Sequence, residues 1–288
     1  MSRAEWPVIA LDVGGSSVKS ALVADMQVAG GACVDAINSA GTADEILNTL
    51  AAVIAGHLKK VKNVRGVAFA FPGPFDYEQG ICLIKNQAKY DALYGLNVGE
   101  MLKEILGIPT LEMRYRNDAQ AAILGEALYG AGKSYARLLG LTLGTGLGSA
   151  FVANGRLITE GDVVPPQGWL YSLKYKNERA DDVFSTRGLL ARLRARGIHE
   201  ESISSAIQSA GEDSAAMVES FASFGTDLGE FLNPFLSDFG ADVLLITGGI
   251  AETWDHFAPS LNQSVSIPVR RGTLGYSAAL LGAAALYL

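Results

Sequence analysis

The chain has 288 residues, a formal net charge of -7, 49% apolar residues and 18% charged residues. That composition is globular rather than disordered. The acidic excess argues against nucleic acid as a partner, because phosphate backbones need a basic footprint, but leaves a nucleotide open.

The two cysteines, Cys33 and Cys82, and three scattered histidines, His57, His199 and His256, do not make up the close three- or four-ligand set of a zinc site. Free thiols fit a cytoplasmic protein. The N-terminus runs straight into an apolar strand with no signal-peptide pattern. The longest apolar run, 278–288, is too short to span a bilayer, so no membrane association is expected.

In chain order, residues 8–11 form an apolar strand ending at Asp12, followed by Gly14-Gly15-Ser16-Ser17 and a second strand over 18–23, a hairpin signal. Residues 43–58 have helical periodicity, with Asp44 and Glu45 in the first turn. The apolar strand 64–71 is stopped by Pro72-Gly73-Pro74. A short helix over 98–106, a strand over 110–114 and a helix over 119–129 follow, with Gly130 as the stop. Residues 138–143 then repeat the opening pattern. Leu11-Asp12-Val13-Gly14 matches Leu141-Thr142-Leu143-Gly144, and both lead through small residues into another strand. Such an internal repeat predicts two related lobes. Helices over 187–196, 202–208 and 215–239, a strand over 243–247 ending at Gly248-Gly249, and a buried apolar helix from about Ser277 complete the chain.

Four short segments carry residue types suited to phosphate chemistry. Gly14, Gly15, Ser16 and Ser17, with Lys19 just beyond, form either an ordinary hairpin turn or a nest of N–H groups for an anion. Asp12, just before it, can organise a metal that travels with a polyphosphate. Gly144-Thr145-Gly146-Leu147-Gly148 has the wrong spacing for a dinucleotide fingerprint and precedes a strand, not a helix, so it reads as a second phosphate turn. Gly248-Gly249 offers bare backbone against which a flat ligand can lie. Asp118 is either the N-cap of the helix it opens or a general base for an alcohol. Gly132-Lys133-Ser134 lacks the earlier glycine of a P-loop and follows a helix, so it is a loop.

In this order the segments resemble the ROK (repressor, ORF, kinase) family of actin-like sugar kinases, across nearly the whole chain. Leu11-Asp12-Val13-Gly14-Gly15-Ser16 matches that family's first phosphate motif, Phe71-Pro72-Gly73-Pro74 its Pro-Gly-Pro loop and Asn117-Asp118-Ala119 its catalytic motif. Gly144 to Ser149 matches its second phosphate motif, and Thr247-Gly248-Gly249-Ile250 its adenosine motif. The resemblance implies an α/β, two-lobed actin-like (ribonuclease H-like) ATPase fold with duplicated lobes. A small lobe would span 1–116 and be completed by 275–288; a large lobe would span 117–274. It implies transfer of a phosphoryl group from ATP to a hexose hydroxyl, with Asp118 as base. Asn86, Asn117 and Gly73 would border the sugar, and Asp12 would hold Mg2+ through water or the phosphates. Gly14, Gly15, Ser16, Ser17, Lys19, Gly144, Thr145, Gly146, Gly248 and Gly249 would hold the nucleotide. Family members are often dimers, so a homodimer is one option by analogy, and the sequence leaves the oligomeric state open. The run Gly14 to Lys19 is similar to the polyphosphate glucokinase branch, which leaves ATP and polyphosphate both open as donor.

The chain departs from the family pattern at 163–171, where many members carry a Glu-x-Gly-His sugar motif and a Cys-x-Cys-Gly zinc knot. Here the stretch is Val163-Val164-Pro165-Pro166-Gln167-Gly168-Trp169-Leu170-Tyr171, with no His and no Cys. No zinc is expected, and the sugar contacts of that motif are missing. Trp169, Tyr171 and Tyr175 would stack on a sugar or, the favoured reading, pack the loop. Two rivals remain: a non-catalytic sugar or nucleotide sensor derived from a kinase, favoured by that loop, and an actin-like ATPase acting on a non-sugar acceptor. With eleven residues before Asp12, no helix-turn-helix domain of the family's repressors is expected.

Overall fold

The computed structural model describes residues 6–212 and 214–288. In chain order the elements are β1 (Val8–Val13), β2 (Ser17–Ala24), β3 (Gln27–Ala36), α1 (Ala43–Leu58), β4 (Gly66–Phe71), β5 (Phe75–Asp76), β6 (Ile81–Cys82), α2 (Val98–Leu106), β7 (Met113–Asn117) and α3 (Asp118–Tyr129). Next come β8 (Arg137–Leu143), β9 (Leu147–Ala153), β10 (Arg156–Ile158), β11 (Lys174–Tyr175), β12 (Glu178–Arg179), α4 (Ala180–Val183), α5 (Thr186–Arg194), α6 (Ile203–Ala210), α7 (Ala215–Phe239), β13 (Val243–Thr247), α8 (Trp254–Ser264), β14 (Val269–Arg271) and α9 (Ser277–Ala284).

The chain divides into two compact units: the chain up to Gly125 with Tyr276–Leu288, and Glu126–Gly275. The division falls inside α3, whereas the lobe boundary expected from sequence stands just before that helix. Each unit is built on a five-stranded sheet. The orders are β3-β2-β1-β4-β7 and β10-β9-β8-β13-β14. In each, the first two neighbours pair antiparallel and the last two pairs are parallel. The repeat seen in the glycine turns is therefore a repeat of whole sheet topology.

In the first unit the sheet is sorted by side-chain size. Ile9, Leu11, Val67, Phe69 and Phe71 lie on the face that packs with Ile46, Leu50 and Ile54 of α1 and Leu102 of α2. The alternate positions Ala10, Ala68 and Ala70 are small, and β1 and β4 pack against α9, whose residues Ala278–Ala284 are all buried. α9 also meets α3 backbone to backbone. A methyl group at Gly125 would overlap the Ala278 carbonyl oxygen, and one at Gly282 would overlap the Ala121 carbonyl oxygen. A capping box at Thr42 and Glu45 starts α1, and Gly107 in the left-handed conformation ends α2.

The core of the second unit is aromatic. Phe221, Phe224 and Phe231 of α7 pack in one cluster with Phe257 of α8 and with Phe184, which stands between α4 and α5. Buried Glu126 accepts hydrogen bonds from the N–H groups of Leu274 (2.7 Å) and Ala131 (2.9 Å), tying the end of the unit to its beginning. Among the described residues, no helix is long and apolar enough to cross a membrane.

One strand expectation needs correction, and one strand was not expected. β7 lies at Met113–Asn117 rather than 110–114, because its ladder with β4 pairs Phe69 with Tyr115 and Phe71 with Asn117. Arg114 and Arg116 look unlike strand residues, yet they donate to the carbonyls of Leu286 and Gly282 at the C-terminus. The edge strand β3 had no sequence signal, since Gly30 and Gly31 interrupt it and most of it is exposed.

Because the α3–α9 contact has no room for a side chain, Gly282→Ala should cost about 3 kcal/mol of stability. Urea unfolding would register this as a lower midpoint with little change in slope.

Candidate functional site

The three parallel strands of the first unit bring distant motifs to one edge. β1, β4 and β7 run in the same direction, with Asp12 paired to Ala70 and Phe71 paired to Asn117. Asp12, Pro72-Gly73 and Asn117-Asp118 therefore share the carboxyl edge of the sheet, where open α/β sheets bind ligands.

The turn 14–17 is tied down through its carbonyls. The N–H of Gly14 donates to the Ser17 oxygen (2.9 Å) and that of Ile37 to the Ser16 oxygen (3.1 Å). The Tyr90 hydroxyl donates to the Gly14 oxygen, and the Ser39 hydroxyl to the Gly15 oxygen. Burial, reinforced by the charge of Asp12, pushes the Tyr90 phenol well above its ordinary value, so it stays a donor. Gly15 and Ser16 are exposed, and a methyl group on Gly15 would meet nothing within 4 Å. The turn thus presents bare backbone to open space, as an anion nest requires. Asp12 faces Lys19 across the β1–β2 ladder, with Nζ 3.3 Å from Oδ2. Tyr90 and Ser39 carry no motif; only their contacts reveal them.

Asn117 and Asp118 divide two tasks. The Asn117 Oδ1 accepts from the Gln120 N–H (3.2 Å), the bond an N-cap makes to the third residue of its helix. Its Nδ2 donates to the Tyr77 hydroxyl (3.1 Å), which donates to the Phe71 oxygen (3.1 Å). Asp118 is then the first residue of α3, half-buried, with Oδ1 accepting from the Ala119 N–H at 2.8 Å. Asn117 does the capping, so Asp118 is not needed for it. Desolvation raises the Asp118 carboxyl above its ordinary value; the charge of Asp12 adds to the rise, while the Ala119 N–H and the Lys89 ammonium oppose it.

A methyl group on Gly73 would press on the Tyr77 hydroxyl at 2.9 Å and approach Asn117 Nδ2 at 3.8 Å, which places Gly73 beside the Asn117 network. The Gly73-Pro74 peptide is cis. Asn86 is exposed and stands outside that network, on a loop where Asn86, Ala88 and Tyr90 all have positive φ. The Asp91 carboxylate holds this loop by accepting from the N–H groups of Gln87 and Ala88, both at 3.1 Å.

In the second unit the turn 144–146 is one residue shorter than 14–17, and Thr142 stands where the first unit has Asp12. The N–H of Gly144 donates to the Gly146 oxygen (3.1 Å), and the Gly144 oxygen accepts from both the N–H (2.7 Å) and the hydroxyl (2.9 Å) of Thr186. The Asp181 carboxylate accepts from the Leu147 N–H at 2.8 Å and bonds Arg187 at 3.0 Å. Thr145 is exposed. The β8–β13 ladder sets the second glycine pair beside this turn: a methyl group on Gly144 would lie 3.9 Å from the Gly249 nitrogen. Gly248, at φ 96°, lies so close to Leu143 that no side chain fits, whereas Gly249 faces open space.

At 163–171 the chain forms a turn held by buried Ser149, whose hydroxyl donates to the Gly168 oxygen (2.7 Å) and accepts from the Leu170 N–H (2.9 Å). Tyr171 and Tyr175 pack on the core, and the Tyr175 hydroxyl bonds Asp227 and Glu230, each at 2.8 Å. Trp169 packs against Tyr171 with the rings tilted by 48° and their centroids 5.8 Å apart.

Comparison with known proteins finds that the model of the ROK family matches residues 8–172. A polyphosphate glucokinase from Mycobacterium leprae is 33% identical over 150 residues, covering 51% of this chain and 44% of its own length. A glucokinase from Thermotoga maritima is 27% identical over 156 residues, covering 54% and 47%. The chain thus spans less than half the length of these curated relatives. A ROK family glucokinase from Streptomyces griseus, solved in complex with glucose and AMPPNP, superposes with a TM-score of 0.76 at 20% identity over 97% of this chain and 98% of that one. That likeness shows a common fold, the duplicated actin-like α/β fold expected from the sequence.

The raised Asp118 carboxyl makes a prediction about stability. Its folded-state pKa lies above the unfolded value, so the folded state binds more protons and loses stability as pH rises through the two values. Asp118→Asn removes the charge and keeps an oxygen for the Ala119 N–H. By calorimetry its Tm should exceed that of the parent by about 2 °C at pH 7, with the gap closing as pH falls into the carboxylate range.

Proposed function

The chain belongs to the ROK family, and from that premise we propose that it is a sugar kinase, moving the terminal phosphoryl group of ATP onto a hydroxyl of a hexose or hexose derivative. One observation carries the reading. Asn117 caps α3, and Asp118 is left half-buried with a raised pKa, on the sheet edge that also carries the phosphate-sized turn 14–17.

In this reading Asp118 is the general base. As the sugar oxygen bonds to the γ-phosphorus and the bond to the β-phosphate oxygen breaks, the hydroxyl proton passes to Asp118. A carboxyl tuned upward by desolvation is better matched to that task near neutral pH than an exposed one. Asn117 and Gly73 border the sugar, and Asn86 joins them from the 86–90 loop. In the first unit the backbone of 14–17 and Lys19 are suited to phosphates; in the second, Gly144, Thr145 and Gly146 form the second phosphate turn, and Gly248 and Gly249 offer backbone to the flat base. Among the described residues no cluster of three or more His, Cys, Asp or Glu is placed to hold a metal. Magnesium at Asp12 would therefore draw its other ligands from water and the phosphates, as this ion commonly does. The glucokinase and polyphosphate glucokinase relatives support a hexose acceptor and keep polyphosphate as a second donor.

The 163–171 turn favours one other reading, a sensor that binds sugar or nucleotide without transfer, since Tyr171 there packs on the core. Sugar-phosphate formation over a panel of hexoses, amino sugars and N-acyl sugars, with ATP and with polyphosphate, separates the two. Formation with either donor supports the kinase; sugar binding with no sugar phosphate formed supports the sensor. Asp118→Ala should lower kcat by about 10³-fold while nucleotide binding stays measurable by calorimetry. Lys89→Gln removes a charge that holds the Asp118 pKa down. The acid limb of its kcat/KM profile should move to higher pH; an unmoved limb counts against Asp118 as the titrating base.

A further inference from the structure

A cavity of about 410 Å3 lies in the first unit between β3 and one flank of α1. None of the residues that line it belongs to the site described above. Ser20 pairs with Cys33 across the β2–β3 ladder, and Asp35 stands two residues on, on the same face as Cys33. From α1 come Gly56 and His57, with Lys60 just past its end.

The chemistry around Cys33 is unusual for a surface groove. Cys33 is exposed, and the Lys60 Nζ lies 4.0 Å from its sulfur. His57 is buried and shares a 2.9 Å hydrogen bond between its Nε2 and the hydroxyl of Ser20, also buried. Its Nδ1 is buried without a hydrogen-bond partner. Burial lowers the His57 pKa, Lys60 lowers it further and Asp35 opposes them, so the ring is neutral and one nitrogen lacks its bond. The groove therefore offers a thiol, a cation, an anion and an unsatisfied polar ring together.

We propose that Cys33 is a site of mixed-disulfide formation with a small zwitterionic thiol. The adduct's carboxylate pairs with Lys60, its ammonium pairs with Asp35, and its body fills the cavity against His57. In the exchange the Cys33 sulfur gives its proton to solvent and attacks one sulfur of a disulfide R–S–S–R. The new S–S bond forms as the old one breaks, and the departing sulfur takes up a proton as R–SH. Cys33 is oxidised and one R sulfur is reduced, so the disulfide is the only oxidant needed. The Lys60 ammonium lies where the sulfurs share negative charge during exchange. Cys82 is an internal control: it is buried, its thiol donates to the Tyr90 oxygen (3.9 Å), and burial pushes its pKa up.

The test incubates the full chain with glutathione disulfide, cystine, the dication cystamine and the neutral 2-hydroxyethyl disulfide. Adducts are followed by intact mass and peptide mapping, and each rate is divided by that of N-acetylcysteine amide with the same disulfide. Glutathione disulfide, cystine or both should modify Cys33 about tenfold faster than the model thiol, with no such gain for cystamine or hydroxyethyl disulfide. Dithiothreitol should reverse the adduct, and Cys82 should stay unmodified. Lys60→Gln should abolish the gain. So should Gly56→Leu, whose side chain enters open space at the cavity. Equal gains for all four disulfides, no gain for any, or gains unchanged in both variants would overturn the proposal.

Discussion

The proposed chemistry depends on how the first turn of α3 is held. Gly125 and Gly282 let α3 and α9 approach until a single methyl group would collide with the opposite backbone. Arg116, the residue before the Asn-Asp pair, donates to the Gly282 oxygen, and burial lowers its pKa to about 10. The C-terminal helix is therefore a brace for the residue assigned as base, although it lies far along the chain from it. A helix propped against backbone has little freedom to shift, and a carboxylate on its first residue inherits that rigidity.

Duplication and divergence together explain how the two units differ in chemistry. Both sheets have the same strand order and the same directions, so both place a glycine turn at the carboxyl end of the first strand in the repeat. Only the first unit keeps a carboxylate before that turn, paired with a lysine across the hairpin; the second has a threonine there and binds its turn through Thr186 and Asp181. The glycines divide as well. Gly248 is required by a close approach to Leu143, while Gly15 and Gly249 leave backbone open to a ligand.

Regular helices were the most readable part of the sequence. α1, α2 and α7 and the strand β13 lie where periodicity and caps put them, because their signals are local. β3 and β7 were harder: one is an exposed edge broken by glycines, and the other sends two arginines to carbonyls at the far end of the chain. At the site, the motifs disclosed which residues to watch but not their tasks. Whether Asp118 caps its helix is decided by the position of the Asn117 oxygen, and spacing carries no information about that. The hydroxyls of Ser39 and Tyr90 that fix the turn 14–17 come from loops 24 and 76 residues away from the carbonyls they meet.

The most direct measurement is a carbon-13 NMR titration of the Asp118 carboxyl, assigned by comparison with the Asp118→Asn chain. Desolvation and the neighbouring Asp12 charge predict a midpoint above the ordinary carboxylate value, coinciding with the acid limb of phosphoryl transfer. A midpoint at or below the ordinary value would contradict the assignment of Asp118 as a desolvated general base.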